Sequence, residues 1–482
     1  MVWLWAFISW IVIYVTAYDW AFEINRDIKK SRILAFLGST STFAILQATS
    51  SANDIFATAM ALLSLRFVMA FERSRDWHEI NWAVLSFCLA AGTKPHFAVF
   101  GLPLMIWFVA SPSKPWRAFR WVWSPLLLAI WLLCSPAPSF VLNHQTYGTW
   151  AGPGQDFSMT GKGPVWNILL GTTMIVWQNP QPPINPVALL FTKKLDQIVE
   201  DSGLKKLVPR FTLKTSPVNM VDTASLGLIT SILFLVGAIL AFKRNRSFWK
   251  SWQGLAMIIS LFCIIASLSK FVSSGAGRAF CGFLYVALPL AIVGWNSMKP
   301  GTLKLCLYLC LFSSVVSLVF NPSRPLWPAR FVQHELASSP RFDWLAKKIE
   351  LSYLKIPERA ITANDIVRAI PSGEKSVVAV VGDDRPLLSL FRPYSVRRKV
   401  LFLPPHSPPK ELSQLAVKGA HYVVVGGGAQ LPYPELCEYL EKSGDYKLVI
   451  SRDYTSKLVR GPETWKLYQL AESTNVAVLM QP

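Results

Sequence analysis

Apolar positions along the first two thirds of this chain run together instead of alternating or recurring on one helix face. The runs cover about residues 2–20, 33–50, 54–71, 81–93, 96–111, 119–137, 222–242, 253–269, 280–296 and 302–320. Most approach the roughly 20 residues that a helix needs to cross a hydrocarbon layer. The pattern predicts an α-helical multi-pass membrane domain of about ten spans over 1–320. Beyond that point the runs shorten. "SVVAVVG" (376–382), "KVLFLP" (399–404), "HYVVVGGG" (421–428) and "YKLVIS" (446–451) read as buried strands. Helical stretches such as "PKELSQLAVKG" (409–419) and "PYPELCEYLEKSG" (432–444) lie between them. Such alternation predicts a small α/β doubly wound soluble domain with a parallel sheet over 321–482.

Composition agrees with the membrane reading and changes one expectation. The 482 residues are 52% hydrophobic, yet the formal net charge is +20. In a soluble protein that charge would point to nucleic acid. Here the Lys and Arg residues fall largely in short connections between apolar runs, where they signal topology, and no RNA-binding motif accompanies them. Nucleic acid is therefore excluded as a partner. Six of the seven Cys lie in apolar segments and Cys437 stands alone in the C-terminal part, with no CxxC and no metal-type spacing.

The basic connections fix an orientation. "NRDIKKSR" (25–32), "ERSRD" (72–76), "SKPWRAFR" (113–120), "KRNRSFWK" (243–250) and "KPGTLK" (299–304) all belong in the cytoplasm by the positive-inside rule. Residues 33–71, 81–111 and 253–296 must then enter and return as hairpins, with polar apices at "SSAND" (50–54), "GTKPH" (92–96) and "SSGAGR" (273–278) on the opposite face. The run "PVWNILLGTTMIVW" (164–177) is read as a helix lying in the interface, which its Trp166 and Trp177 suit. That leaves 138–221 as one long external loop and places the C-terminal domain outside the cytoplasm. The first helix must run from outside to inside although Met1 leads straight into it. An upstream span and its external loop are expected to precede this chain.

The apices carry Asn53, Asp54, Lys94, His96, Lys270 and Arg278, with His144, Asp156 and Asp222 in or beside the long loop. An ionisable group at membrane depth defaults to a functional reading. Two fixed cations beside lipid suit a phosphate or diphosphate headgroup. A carboxylate at Asp54 can orient a hydroxyl, help hold a divalent metal or act as a base. Each residue also has a plain structural alternative. "SSAND" is an ordinary helix-capping sequence, Lys94 can snorkel to the interface, and Arg278 can anchor a helix end. His96 and His144 suit structural or solvated roles, Asp156 can shape a turn, and Arg66 can snorkel at the cytoplasmic end. "VVGDD" (380–384) and "GGG" (426–428) match no dinucleotide fingerprint.

"ILQATSSANDIFATAMALL", "LSFCLAAGTKPHFAVFGLPL" and "SGAGRAFCGFLYVALPLAIVGW" together resemble the GT-C superfamily of membrane glycosyltransferases. The match is nearest to the bacterial family-39-like enzymes related to protein mannosyltransferases and aminoarabinose transferases. "NPSRPLW" (321–327) and the α/β tail resemble the C-terminal portion of one bacterial subgroup. The resemblance implies a glycosyltransferase of the bacterial inner membrane, with its C-terminal domain in the periplasm. It would move a sugar from a polyprenyl-phosphate carrier to a lipid, glycan or protein acceptor. It implies that Asp54 and Lys94 line the carrier and active-site face, with Arg278 helping to neutralise phosphate. Asp54 is the candidate catalytic carboxylate, Asn53 and His96 on the same apices are candidate substrate contacts, and the cofactor stays open, with a divalent metal as one candidate. The family's catalytic base lies in the first external loop, and the match begins after that loop, so the base is expected to be missing from this chain. Two other classes stay open: a transporter or flippase of a lipid-linked saccharide, and a non-catalytic glycan-binding membrane subunit.

Overall fold

In a computed structural model of the chain, the apolar runs become helices. The described residues are 2–49, 53–118, 125–147, 163–185, 225–244, 252–270 and 276–321, then 328–338, 342–349, 377–381, 399–403, 420–425, 434–442, 444–455 and 462–471, with a few isolated positions besides. The chain divides into two compact units, Met1–Trp327 and Pro328–Pro482.

The first unit is helical. Its elements are α1 (Val2–Asn25), α2 (Ile28–Ser39), α3 (Thr42–Ala48), α4 (Asp54–Ser74), α5 (Trp77–Thr93), a 3-10 turn (Pro95–Phe100), α6 (Gly101–Ala110), α7 (Pro115–Ala118), α8 (Pro125–Cys134), α9 (Ala137–Tyr147), α10 (Pro164–Gln178), α11 (Leu228–Arg244), α12 (Trp252–Lys270), α13 (Ala276–Val286), α14 (Leu288–Asn296) and α15 (Pro300–Val319). Leu4–Asn25, Asp54–Ser74 and Pro300–Val319 are each long and apolar enough to cross a bilayer. Large apolar side chains such as Met105, Val109 and Phe312 point outward. This is a helical membrane fold.

Length limits the span count. Among the described residues there are three such helices, or up to five if each bent pair is one span, where about ten were expected. Polar or proline-bearing breaks account for much of the difference. The α8–α9 pair bends by 59° at Ser135–Pro136 and the α13–α14 pair by 60° at Ala287. Pro289 has no N–H to donate into the preceding turn. Ser39–Thr42 similarly divides α2 from α3, with the Thr40 carbonyl accepting from Ser314 Oγ at 2.7 Å. The loop expected over 138–221 also begins later, because α9 stays helical to Tyr147.

Ion pairs and hydrogen bonds establish which helix ends lie together. Arg66 on α4 faces Asp19 (3.5 Å) and Glu23 (3.1 Å) on α1, and Arg73 reaches Glu23 at 2.7 Å. Ascending numbers meet ascending numbers, so α1 and α4 run parallel. Arg66 is thus ion-paired within the fold, which corrects the expectation that it snorkels. At that same end Glu72 accepts from Trp107 Nε1, Ser111 Oγ and Ser113 Oγ, and Lys30 Nζ donates to the Asn296 carbonyl. The connections after α1, α4, α6 and α14 therefore share one end of the unit. The opposite ends of α4 and α5 lie about 30 Å away, the length of α4.

The second unit holds α16 (Ala329–Ala337), α17 (Asp343–Ile349), α18 (Pro434–Lys442) and strands β1 (Val377–Val381), β2 (Lys399–Leu403), β3 (Ala420–Val425), β4 (Tyr446–Thr455) and β5 (Pro462–Leu470). The sheet order is β2-β1-β3-β5-β4. β1 pairs in parallel with β2 and β3, but β5 pairs antiparallel with both β3 and β4. The all-parallel expectation is corrected to a mixed sheet. Leu436, Cys437 and Leu440 of α18 pack with Val423, Val425 and Tyr468 of the sheet. The expected helix at 409–419 and the glycines at 426–428 lie outside the described residues.

Candidate active site

Three hairpin ends deliver one charged residue each. Pro95 forces the residue before it out of helical space, so Lys94 ends α5 with extended backbone (φ −136°, ψ 103°). Pro95 then starts the 3-10 turn. Asp54 is the first residue of α4, where peptide dipoles favour negative charge. Asn53 holds the capping position but its side chain makes no capping bond, and Asp54 lies one residue inside the helix. Arg278 lies in the first turn of α13.

These residues meet. Lys94 Nζ lies 3.1 Å from Asp54 Oδ1, and Arg278 Nε lies 3.3 Å from Asp54 Oδ2. Asp54 is buried at 6% exposure, while the two cationic side chains keep 24% and 26%. The carboxylate is thus at the back and the cations form the open side. One anion between two cations leaves the group with a formal charge of +1. Oδ2 is buried without an aligned hydrogen bond, so its contact with Arg278 is an ion pair alone.

Packing one turn deeper explains the convergence. A Cβ on Gly282 would stand 2.5 Å from Phe97 Cζ and 2.6 Å from Thr58 Oγ1. Thr58, Phe97 and Gly282 each follow one charged residue by three or four positions. The missing side chain at Gly282 therefore allows α4, the 3-10 turn and α13 to approach closely enough for the charges to touch. Thr58 Oγ1 donates to the Asp54 carbonyl at 2.8 Å. Gly92 serves the same purpose on the far side of α5, since its Cβ would lie 2.2 Å from the Cys134 carbonyl oxygen at the α8–α9 bend.

Of the other candidates, His96 is half-buried with its ring edge-on to Phe283 at 5.7 Å, and its Nε2 makes no hydrogen bond. Asn53 is exposed beside the group. His144 is exposed and stacks on Trp150 at 4.3 Å. Asp156, Asp222 and the Lys270 side chain lie outside the described residues. Among the described residues no three His, Cys, Asp or Glu gather in a metal-binding group. The carboxylate oxygens of Asp54 face Lys94 and Arg278 instead.

Sequence reasoning overlooked the contribution of α10. Asn167 Nδ2 donates to the Ser269 carbonyl (3.3 Å) in the last turn of α12, and Gly171 packs on Leu268. At its other end, Gln178 Oε1 accepts from the Gly277 N–H at 2.7 Å. The helix thus lies across the mouth of the α12–α13 hairpin, with Val165, Leu169 and Val176 facing outward. The polar end "WQNPQ" after an apolar run was the available signal.

The fold and the buried ion group define a helical membrane protein with an aspartate held between a lysine and an arginine at one end of its helical unit. No family model and no curated protein matches the chain. Among solved structures it is similar to the apo crystal structure of ArnT from Cupriavidus metallidurans, with 12% identity over 100% of this chain and 84% of that one, and a TM-score of 0.46. The same protein bound to undecaprenyl phosphate is similar at 12% identity, 100% and 85% coverage and a TM-score of 0.41. The cryo-EM structure of arabinofuranosyltransferase AftD from Mycobacteria is similar at 14% identity, covering 96% of this chain and 33% of that one, with a TM-score of 0.36. These scores are too low to carry the chemistry of the site, which rests on the distances above.

Proposed function

We propose that the protein is a GT-C-type, family-39-like glycosyltransferase that takes a sugar from a polyprenyl-phosphate carrier and passes it to a lipid, glycan or protein acceptor. The observation that carries this reading is the buried Asp54 carboxylate held between Lys94 and Arg278 at the end of the helical unit opposite its basic connections. A phosphate entering beside that pair meets an ammonium and a guanidinium already gathered. As the sugar–phosphate bond breaks, charge grows on the phosphate oxygens, and fixed cations lower the barrier most at that moment. Asp54 holds the cations together against their mutual repulsion. The base that activates the acceptor hydroxyl comes from another residue. The site faces the periplasm of a bacterial inner membrane in this reading, with the C-terminal unit on the same side.

The test is turnover. Purified full-length protein in sealed proteoliposomes, given polyprenyl-phosphate sugars and a membrane extract as acceptor, should release free polyprenyl phosphate. Movement of intact carrier across the bilayer without release would replace this reading by a second one, a flippase of lipid-linked saccharide. The helices broken by 59° and 60° favour that alternative, since transporters use such breaks.

A further inference from the structure

The first turn of α13 carries Arg278, and a helix start leaves its first N–H groups without intrahelical partners. One of these, the Gly277 N–H, donates to the side chain of Gln178 at 2.7 Å, a bond spanning 99 positions of sequence. The fit is close. A Cβ at Gly277 would lie 2.7 Å from Gln178 Cβ and 2.9 Å from its Oε1, so a residue larger than glycine displaces the contact. Gln178 is itself anchored on another element. Its carbonyl accepts from Ser225 Oγ at 2.6 Å, and the next residue, Asn179, accepts from the Leu226 N–H through Oδ1 at 3.1 Å. The Gln181 carbonyl accepts from the Leu228 N–H at 3.0 Å. The end of α10 thus ties the beginnings of α11 and α13 together, one residue from a cation of the site.

We infer that Gln178 is a positioning residue: it holds the first turn of α13 so that Arg278 stays against Asp54, ready for an anion. The physical logic is a chain of short contacts: Ser225 to Gln178, Gln178 to Gly277, then Arg278 to Asp54. Without the side-chain acceptor, the first turn of α13 loses a bond that other helix starts obtain from a local cap. Arg278 then samples orientations away from Asp54, and the ion group is less ordered. The consequence for a lipid phosphate rests on the function proposed above; the consequence for Arg278 itself does not.

The experiment uses full-length protein in nanodiscs and two variants. Gln178→Met keeps the length and removes the amide acceptor; Gln178→Glu keeps an acceptor. Modification of Arg278 by phenylglyoxal is timed by mass spectrometry, with Arg75 at the opposite end of α4 as the internal reference. The inference expects several-fold faster modification of Arg278 in Gln178→Met, an unchanged Arg75, and a rate no faster than wild type in Gln178→Glu. Equal Arg278 rates in all three proteins would overturn it. Acceleration in both variants would too, as would acceleration of Arg75 alongside Arg278, which signals general loosening. In parallel, undecaprenyl phosphate affinity should fall about tenfold in Gln178→Met and show no further fall when Gln178→Met is added to Arg278→Ala. Additive losses would contradict action through Arg278. If wild type binds no polyprenyl phosphate, the proposed function fails while the modification result still decides the role of Gln178.

Discussion

Asp54 touches both cations, and replacing it tests how they are held. Asp54→Asn removes the countercharge and leaves Lys94 and Arg278 facing each other across a neutral amide. Because each cation keeps about a quarter of its surface, solvent offsets part of the loss; a destabilisation of about 1–3 kcal/mol is expected. Thermal unfolding in detergent measures it, and an unchanged midpoint would show that the ion group contributes nothing to the fold. These three residues were legible in the sequence because charge in an apolar run is rare and costly. The hairpin pattern placed them on one face, and the ion pairs that join them came only with the structure. The polar end at Gln178 was visible as a helix boundary, but its partner was not, because the Gly277 N–H lies 99 positions away.

Between elements, close approach depends on glycine. Gly282→Leu places a branched side chain where Phe97 and Thr58 now meet α13, so the element ends must separate. The expected result is loss of the Lys94–Asp54 contact, read as loss of zero-length carbodiimide crosslinking between them. Persistent crosslinking would refute the packing argument. In the C-terminal unit, Glu441 on α18 accepts from Lys466 Nζ and Tyr468 OH of β5, each at 2.9 Å. These bonds hold its carboxyl below the ordinary value of 4.5. A depressed value stabilises the folded form above that pH and ceases to do so as pH falls through the folded value. Protection factors of the β5 amides, taken relative to the intrinsic exchange rate at each pH, should therefore fall in acid, and less so in Glu441→Gln; identical acid profiles would remove the link. The first four strands were readable as short apolar runs. β5 was missed because "PETWKLYQL" mixes charged and polar residues into its alternation, and without it β4 could not be recognised as antiparallel.

For the whole molecule, alternation of basic and polar connections was the most readable feature. Asn296 beside Lys30 and Ser111 beside Glu72 bring distant basic connections to one end, with Asp54, Lys94 and Arg278 at the other. Span counting was less readable, since hydropathy runs do not reveal where serine, threonine or proline breaks a helix into shorter pieces. Cysteines introduced at Asn53 and at Arg75 should react with membrane-impermeant maleimide from opposite sides of sealed vesicles. Reaction of both from one side would contradict the placement of the ion group at the end opposite the basic connections.

In the proposed function, Lys94 and Arg278, gathered by Asp54, grip the phosphate of a polyprenyl carrier. Titration of undecaprenyl phosphate into nanodiscs holding wild type or the Lys94→Ala/Arg278→Ala double variant tests it most directly. Saturable binding by wild type that weakens at least a hundredfold in the double variant, about 2.7 kcal/mol, is the predicted result. Equal affinities in two proteins that unfold at the same temperature would contradict it.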